Sequence, residues 1–308
     1  MLDRLLSIGG SSIEIGLLYA LMALGVYMTF RILRFPDLTV DGSFTTGGAI
    51  ATVMITNGYA PLLATVCAFF GGLLAGFCTG LLNTKGRING LLAGILMMIA
   101  LYSINLRIMG KPNISLLRID TLFTHISSVT ITMIIVVVVF KLLLDWFLHT
   151  DFGLALRATG DNDRMIRSYG VNTHTTTIVG VGLSNGLVAL SGALVSQHQG
   201  FADNTMGVGM IVVGLASVII GETLFGSRSV FNATLSVILG SIVYRMVVAF
   251  ALQVRWLESS DLKLITAIIV IIALTVPMIR GSIRQKNLAR KRSEELQLSS
   301  ASGGRSDA

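Results

Sequence analysis

The chain has 308 residues, 53% hydrophobic and 13% charged, and its 23 lysines and arginines outnumber 16 aspartates and glutamates to give a net charge of +7. A soluble domain carries about 25% charged residues, so an ordinary cytosolic enzyme is excluded. A hydrocarbon core about 30 Å thick needs about 20 apolar residues per helical crossing, and most of this chain is available for such crossings.

Apolar runs between polar breaks predict nine helical spans, at about 12–31, 41–57, 60–82, 90–106, 126–148, 175–197, 207–223, 229–250 and 262–280. The first is too long for a secretory leader and is followed by Arg31 and Arg34 rather than by a small-residue cleavage site. The second, with Gly42, Thr45, Thr46, Gly47, Gly48 and Thr52, reads as a broken or re-entrant helix that must be surrounded by protein or a water-filled path. The third carries Gly72, Gly76 and Gly80 at four-residue spacing, a stripe for close helix packing. Cys67 and Cys78 lie within that same span, too far apart on one helix to pair. In the fourth and sixth spans Asn105 and Gln197 are candidates for hydrogen bonds across helices.

Basic residues orient the spans. The tail after the last span, with Arg284, Lys286, Arg290, Lys291 and Arg292, belongs in the cytoplasm, where it answers to anionic lipid and topology rather than to nucleic acid. Counting back places Arg31, Arg34, Lys85, Arg87, Lys141, Arg157, Arg164, Arg167 and Arg228 on the same side and the amino terminus outside. Glu222, at the inner end of the seventh span, is expected to pair with Arg228 or with an arginine of the cytoplasmic loop.

Residues 16–39 and 182–205 are self-similar at an offset of 166, with Phe35/Phe201, Asp37/Asp203 and Thr39/Thr205 closing the match after the helix. Five spans separate their starts, so the copies run in opposite directions, as in transporters built from inverted repeats with a solute path near the midplane. The expected halves are 12–106 and 175–280. Polar residues of the second span and its repeat partner are the candidate path: Asp37, Thr39, Asp41, Ser43, Asn185, Asp203 and Asn204. Asp37 and Asp203 are equally suited to capping the following helix.

The longest polar stretch before the tail, residues 150–174, predicts a short helix through Asp163–Tyr169, capped by Asp161 or Asn162 and ended by a left-handed Gly170. Met165, Ile166 and Tyr169 share one face flanked by Arg164 and Arg167, suited to a groove on a partner protein or to the lipid surface. No phosphate-binding loop exists, since Gly110-Lys111 runs into Pro112, and His125, His149, His174 and His198 lack metal-ligand spacing. No catalytic residue, cofactor or metal is expected.

In the 151–174 segment, Gly153, Leu156, Arg157, Ala158, Gly160, Asn162, Gly170, Val171 and Asn172 match the loop G-x-x-L-R-A-x-G-x-N-x-x-x-A-x-x-x-G-V-N, with Ile166 standing where a small residue is usual. The chain thereby resembles permease subunits of ATP-binding-cassette importers of the branched-chain amino-acid and ribose permease family. Arg31, Phe35–Ser43, Leu101–Gly110 and Ile220-Gly221-Glu222 are similar to the subgroup proposed to carry tryptophan or tyrosine. The resemblance covers about residues 12–281, excludes the tail, and implies an all-α polytopic membrane permease domain over 1–281 with a type II importer-like fold; residues 282–308 read from their own composition as a basic, disordered cytoplasmic tail. It also implies that Gly153, Arg157, Ala158, Gly160, Asp161, Asn162, Arg164, Met165, Ile166, Tyr169 and Gly170 contact a separate cytoplasmic ATPase. The implied partners are that ATPase, an extracytoplasmic solute-binding protein, a second permease copy in a homodimer, and the bilayer of a bacterial plasma membrane. The implied solute is a small polar molecule, an amino acid and in the subgroup an aromatic one. The competing readings are an ion-coupled secondary transporter and an importer for a sugar or nucleoside.

Overall fold

The computed structural model describes residues 2–124 and 128–251, with 264, 267, 268, 271 and 275. The ninth predicted span and the basic tail therefore lie outside the described residues, these five positions apart. Helix α1 (Leu2–Val26) runs on through a π-helical turn, Tyr27–Ile32, and is followed by α2 (Thr39–Thr56), α3 (Pro61–Thr84), α4 (Gly90–Met109), α5 (Val129–His149), α6 (Asp151–Asp161), α7 (Asp163–Ser168), α8 (Thr173–Gln199), α9 (Met210–Phe225) and α10 (Val230–Ala251). Two short strands, β1 (Asn113–Ser115) and β2 (Phe201–Asp203), pair antiparallel with Ile114 opposite Ala202. The molecule is an all-α polytopic membrane protein. Six described helices are long and apolar enough to cross a membrane, and α9 is a shorter apolar helix.

Local chemistry sets the boundaries. Pro61 occupies the first turn of α3, where its missing N–H costs nothing. The Asn89 side chain accepts from Leu91 N at 3.0 Å to open α4, and Asn172 accepts from His174 N and Thr175 N to open α8. Gly110 and Gly200 end α4 and α8 in the left-handed region, each returning its N–H to the carbonyl four residues back.

The centre is α1 against α8. Ser191 Oγ donates to the Leu18 carbonyl and Ser184 Oγ to the Gly25 carbonyl, both at 2.7 Å, so the two helices cross antiparallel. Leu18 and Ser184 are equivalent at the offset of 166, as are Gly25 and Ser191, so the offset exchanges one hydrogen bond for the other. The same exchange relates flanking contacts. A Cβ on Gly16 of α1 would sit 2.8 Å from Ile242 of α10, and one on Gly76 of α3 would sit 2.8 Å from Gly182 of α8. One on Gly214 of α9 would meet Val26 of α1, and one on Gly48 of α2 lies 3.5 Å from the Gly192 carbonyl of α8. The Gly72, Gly76 and Gly80 stripe is spent on α8 within the chain, where added methyl groups would meet Asn185, Val181 and Ile178.

Two expectations are corrected. The second span is a continuous helix: its interruption lies before it, at residues 33–38, and its threonines return their hydroxyls to carbonyls one turn back, as Thr46 to Gly42 and Thr52 to Gly48. Its polarity serves close packing, since a Cβ on Gly47 would lie 1.9 Å from the Ala189 carbonyl oxygen. Lys141, counted among the cytoplasmic charges, is 4% exposed within α5. It pairs with Asp145 at 2.5 Å and stands over the Phe231 ring, while Asp145 accepts from Thr234 Oγ1 of α10 at 2.7 Å. The other loop charges gather at one end: Arg31, Arg34, Arg157 and Arg228 line one cavity there, and Arg87 and Arg167 another beside it.

Candidate functional site

The polar residues singled out by the sequence fall into three places. Asp37 is 2% exposed in the link between α1 and α2. Its Oδ1 accepts from Thr39 N at 2.9 Å, closing a turn that starts α2, and its Oδ2 accepts from Asn185 Nδ2 at 2.6 Å in the middle of α8. Thr39 Oγ1 shares a 2.8 Å hydrogen bond with Thr79 of α3. Asp37, Thr39 and Asn185 thus form one buried network that fixes the re-entrant link onto α3 and α8.

Asp41, one turn into α2, does a different job. Its two carboxylate oxygens accept from Gly209 N and Ile211 N, both at 2.8 Å, and so cap the amino terminus of α9, satisfying donors that the helix itself leaves free. Thr45 adds a second tie, accepting from Gly207 N at 3.1 Å. Asp41 also lines a cavity of about 390 Å³ together with Thr45, Tyr102, Ser103, Asn105 and Asn204. Asn204 Nδ2 donates to the Tyr102 carbonyl and Asn105 Nδ2 to the Gly42 carbonyl, each at 3.3 Å. Ser43 is fully buried next to this region and its Oγ has no partner.

Asp203 stands apart. It lies on β2, where its Oδ1 accepts from Thr205 N at 2.7 Å and from the Thr205 hydroxyl, and Asn113 Nδ2 approaches its other oxygen at 3.5 Å. The Thr205 hydroxyl holds the Asp203 carboxyl below the usual carboxylate range. Of the seven candidate path residues, Asp41 and Asn204 share the cavity, and Asp37, Thr39 and Asn185 brace the framework beside it. The sequence marks Asn105 as a cross-helix bonder, Thr45 as part of a polar span, and Tyr102 and Ser103 only within the Leu101–Gly110 resemblance; the fold brings all four to this cavity. A lone asparagine near the carboxyl-terminal end of an apolar helix is the available signal for Asn105.

The polar segment between the fifth and sixth spans folds as the hairpin α6–α7. Asn162 is the cap, accepting from Met165 N at 3.1 Å, and Gly170 is left-handed at φ +84°. One face of α6 is locked onto the spans. Gly153 and Gly160 are contact points, since a Cβ would sit 2.2 Å from the Phe147 carbonyl oxygen and 1.8 Å from that of Ile32. Leu156 is fully buried, Thr159 Oγ1 shares a 3.0 Å hydrogen bond with Thr176 of α8, and Asp161 pairs with Arg34 at 2.8 Å. Ala158 is half-buried and its carbonyl accepts from Asn162 N. Arg157 faces the cavity it shares with Arg31, Arg34 and Arg228. The outer face is α7: Met165 and Tyr169 are 55% and 74% exposed, Arg164 is exposed and Ile166 half-buried. Glu222 pairs with Arg31 of the π-helical turn at 3.0 Å, not with Arg228 or a loop arginine, because the inner end of α9 packs against that turn. Among the described residues no group of histidine, cysteine and carboxylate side chains could hold a metal ion.

Known proteins supply an independent comparison. A family model described as branched-chain amino acid transport system / permease component matches residues 11–275. A protein of Clostridioides difficile (strain R20291) named tyrosine transport system permease protein is 46% identical over 271 residues, covering 88% of this chain and 92% of the relative. An uncharacterized protein of Rickettsia prowazekii is 34% identical over 86% of this chain and 96% of its own length. The autoinducer 2 import system permease protein of Salmonella paratyphi B is 29% identical over 73% of this chain and 65% of its own. No solved structure matches the chain.

Proposed function

The chain belongs to the family of branched-chain amino acid transport system permease components, and on that premise we propose that it is the membrane-spanning subunit of an ATP-driven importer for an amino acid. It is a multi-pass membrane transport permease and not an enzyme. The ATPase that drives it is a separate cytoplasmic subunit, the solute arrives on an extracytoplasmic binding protein, two permease copies form the conducting unit, and the membrane is the bacterial cell membrane. An aromatic amino acid is the solute, as supported by the 46% identical relative named for tyrosine transport.

The observation that carries this reading is the α6–α7 hairpin. A coupling element needs one face rigidly joined to the spans and another free for the motor. Gly160 and Asp161 join α6 to the inner end of α1, and Thr159 joins it to α8. The exposed Met165 and Tyr169 on α7 offer the aromatic and apolar anchors that interfaces favour. Closure of two ATPase subunits would push this hairpin, and the push reaches α1 and α8, whose antiparallel crossing is the centre of the exchange between residues 12–106 and 175–280. We read these segments as inverted halves, with α5 between them. Alternating access then consists of rocking one half against the other.

Reconstitution of the permease with its ATPase and binding protein in proteoliposomes tests the reading. ATP-dependent uptake of L-tyrosine is expected. Uptake that persists without the ATPase and follows an ion gradient would overturn it. Replacing Arg164, Met165 and Tyr169 together by alanine should lower ATP-driven uptake by about tenfold or more while leaving the melting temperature of the permease unchanged.

A further inference from the structure

The cavity between α2, α4 and the α8–α9 link has an unbalanced hydrogen-bonding inventory. Asn105 is 0% and Asn204 4% exposed, and the Oδ1 atom of each has no donor among the described residues. Each side-chain amide commits one N–H of its Nδ2, Asn105 to the Gly42 carbonyl and Asn204 to the Tyr102 carbonyl, which orients its oxygen. Two buried acceptors therefore wait for donors, a costly arrangement unless something supplies them. Asp41 adds a carboxylate at the same cavity, and among the described residues no lysine, arginine or histidine lines it.

The cavity is equally ill-suited to an anion. The amino terminus of α9, the feature that would attract a carboxylate or phosphate, is already filled by Asp41 through Gly209 N and Ile211 N. The turn at the start of α2 is filled in the same way by Asp37. What is left unsatisfied is acceptor capacity under a negative charge, the complement of a primary ammonium, which brings three donors and a positive charge. Apart from the Thr45 and Ser103 hydroxyls the rest of the wall is mainly apolar, with Met98, Ile99 and Val208 beside Tyr102, and the volume of about 390 Å³ falls within the range of small-molecule sites.

We propose that this cavity is the solute site of the permease and that it recognises a protonated amine on an apolar or aromatic body, with Asn105 Oδ1 and Asn204 Oδ1 accepting its N–H groups under the charge of Asp41. The proposal rests on the transport reading and sharpens it, because recognition at this site needs the amine and makes no use of the solute's carboxylate. The carboxylate is then the part of an amino acid that the binding protein must check.

The test uses full-length permease in lipid nanodiscs without its binding protein. Bound radiolabelled L-tyrosine is displaced by tyramine, which lacks the carboxylate, or by 3-(4-hydroxyphenyl)propionate, which lacks the amine. Tyramine should compete within about threefold of tyrosine, and the propionate about thirtyfold less well, the scale of a lost charged hydrogen-bond pair. Asn105→Leu and Asn204→Leu should each weaken tyrosine binding about tenfold. Each leucine variant should still unfold in one cooperative thermal transition, which separates loss of the site from loss of the fold. Equal competition by the propionate, unchanged affinity in the leucine variants, or no tyrosine binding to the wild-type permease would each overturn the proposal. ATP-driven uptake in proteoliposomes decides the importer reading separately, since it can persist when the cavity binds no amine.

Discussion

Phe35–Thr39 and Phe201–Thr205 close the same turn, an aspartate Oδ1 accepting from the backbone N–H two residues on, at 2.9 Å in the first and 2.7 Å in the second. Their surroundings differ. Phe35 is 8% exposed and packs where Gly90 leaves room, and Asp37 is held by Asn185 of α8. Phe201 is 42% exposed, and Asp203 lies at the end of a three-residue pairing with β1. The same sequence signal serves as a buried brace in one half and as a surface cap in the other. A repeat therefore preserves local geometry that the backbone needs, while the burial of each copy, and with it the energetic weight of its aspartate, is free to diverge.

Substitution should expose that asymmetry. Asp37→Ala strips Thr39 N of its acceptor and leaves Asn185 Nδ2 with the Val181 carbonyl alone, and should destabilise the permease by about 2 kcal/mol, read as a large fall in melting temperature in detergent or nanodiscs; a fall no larger than that of Asp203→Ala would erase the distinction. Asp41 and Gly207 are equivalent positions at the offset of 166 and meet each other, because a Cβ on Gly207 would lie 1.9 Å from the Asp41 carbonyl oxygen. Gly207→Ala should force α9 away from α2 at a cost of about 1–3 kcal/mol, whereas a melting temperature equal to wild type would show that the two links do not bear on each other. The smallest effect belongs to Asp203. Its carboxyl is held below the ordinary range by Thr205, so its contribution is fully present above the ordinary aspartate pKa of about 3.9 and is lost as pH falls through the lower folded value. Asp203→Asn should remove a small acid-side decline in stability below about pH 4 and leave the neutral melting temperature nearly unchanged.

Much of this was legible in the sequence, for definable reasons. The second to eighth spans, the Asn162 cap, the left-handed Gly170 and the packing of the α3 glycine stripe rest on local periodicity and backbone chemistry, and the structure places these features within a few residues of expectation, whereas α1 begins about ten residues earlier than its apolar run predicts. What escaped depends on partners far away in sequence. Arg31 meets Glu222 across 191 residues, and no local pattern distinguishes it from the arginine nearer by. Lys141 read as a loop charge because it sits toward the end of an apolar run; Asp145, one turn later, was the clue that the charge is answered within the helix. Asn105 was noticed as polar, but only the missing donor to its oxygen links it to a cavity.

That internal answer to Lys141 bears on how the chain is made. The fifth span leaves the ribosome long before α10, so the Thr234 hydroxyl and the Phe231 ring that complete the site do not yet exist when α5 must partition into the bilayer. A lone lysine or aspartate at the centre of a helix opposes insertion by about 3 kcal/mol on translocon-based scales. Because Lys141 and Asp145 are one turn apart on the same helix, they neutralise each other without help from any later segment. The nascent span can enter lipid as a dipole rather than as two charges, and the second half of the protein docks onto it afterwards.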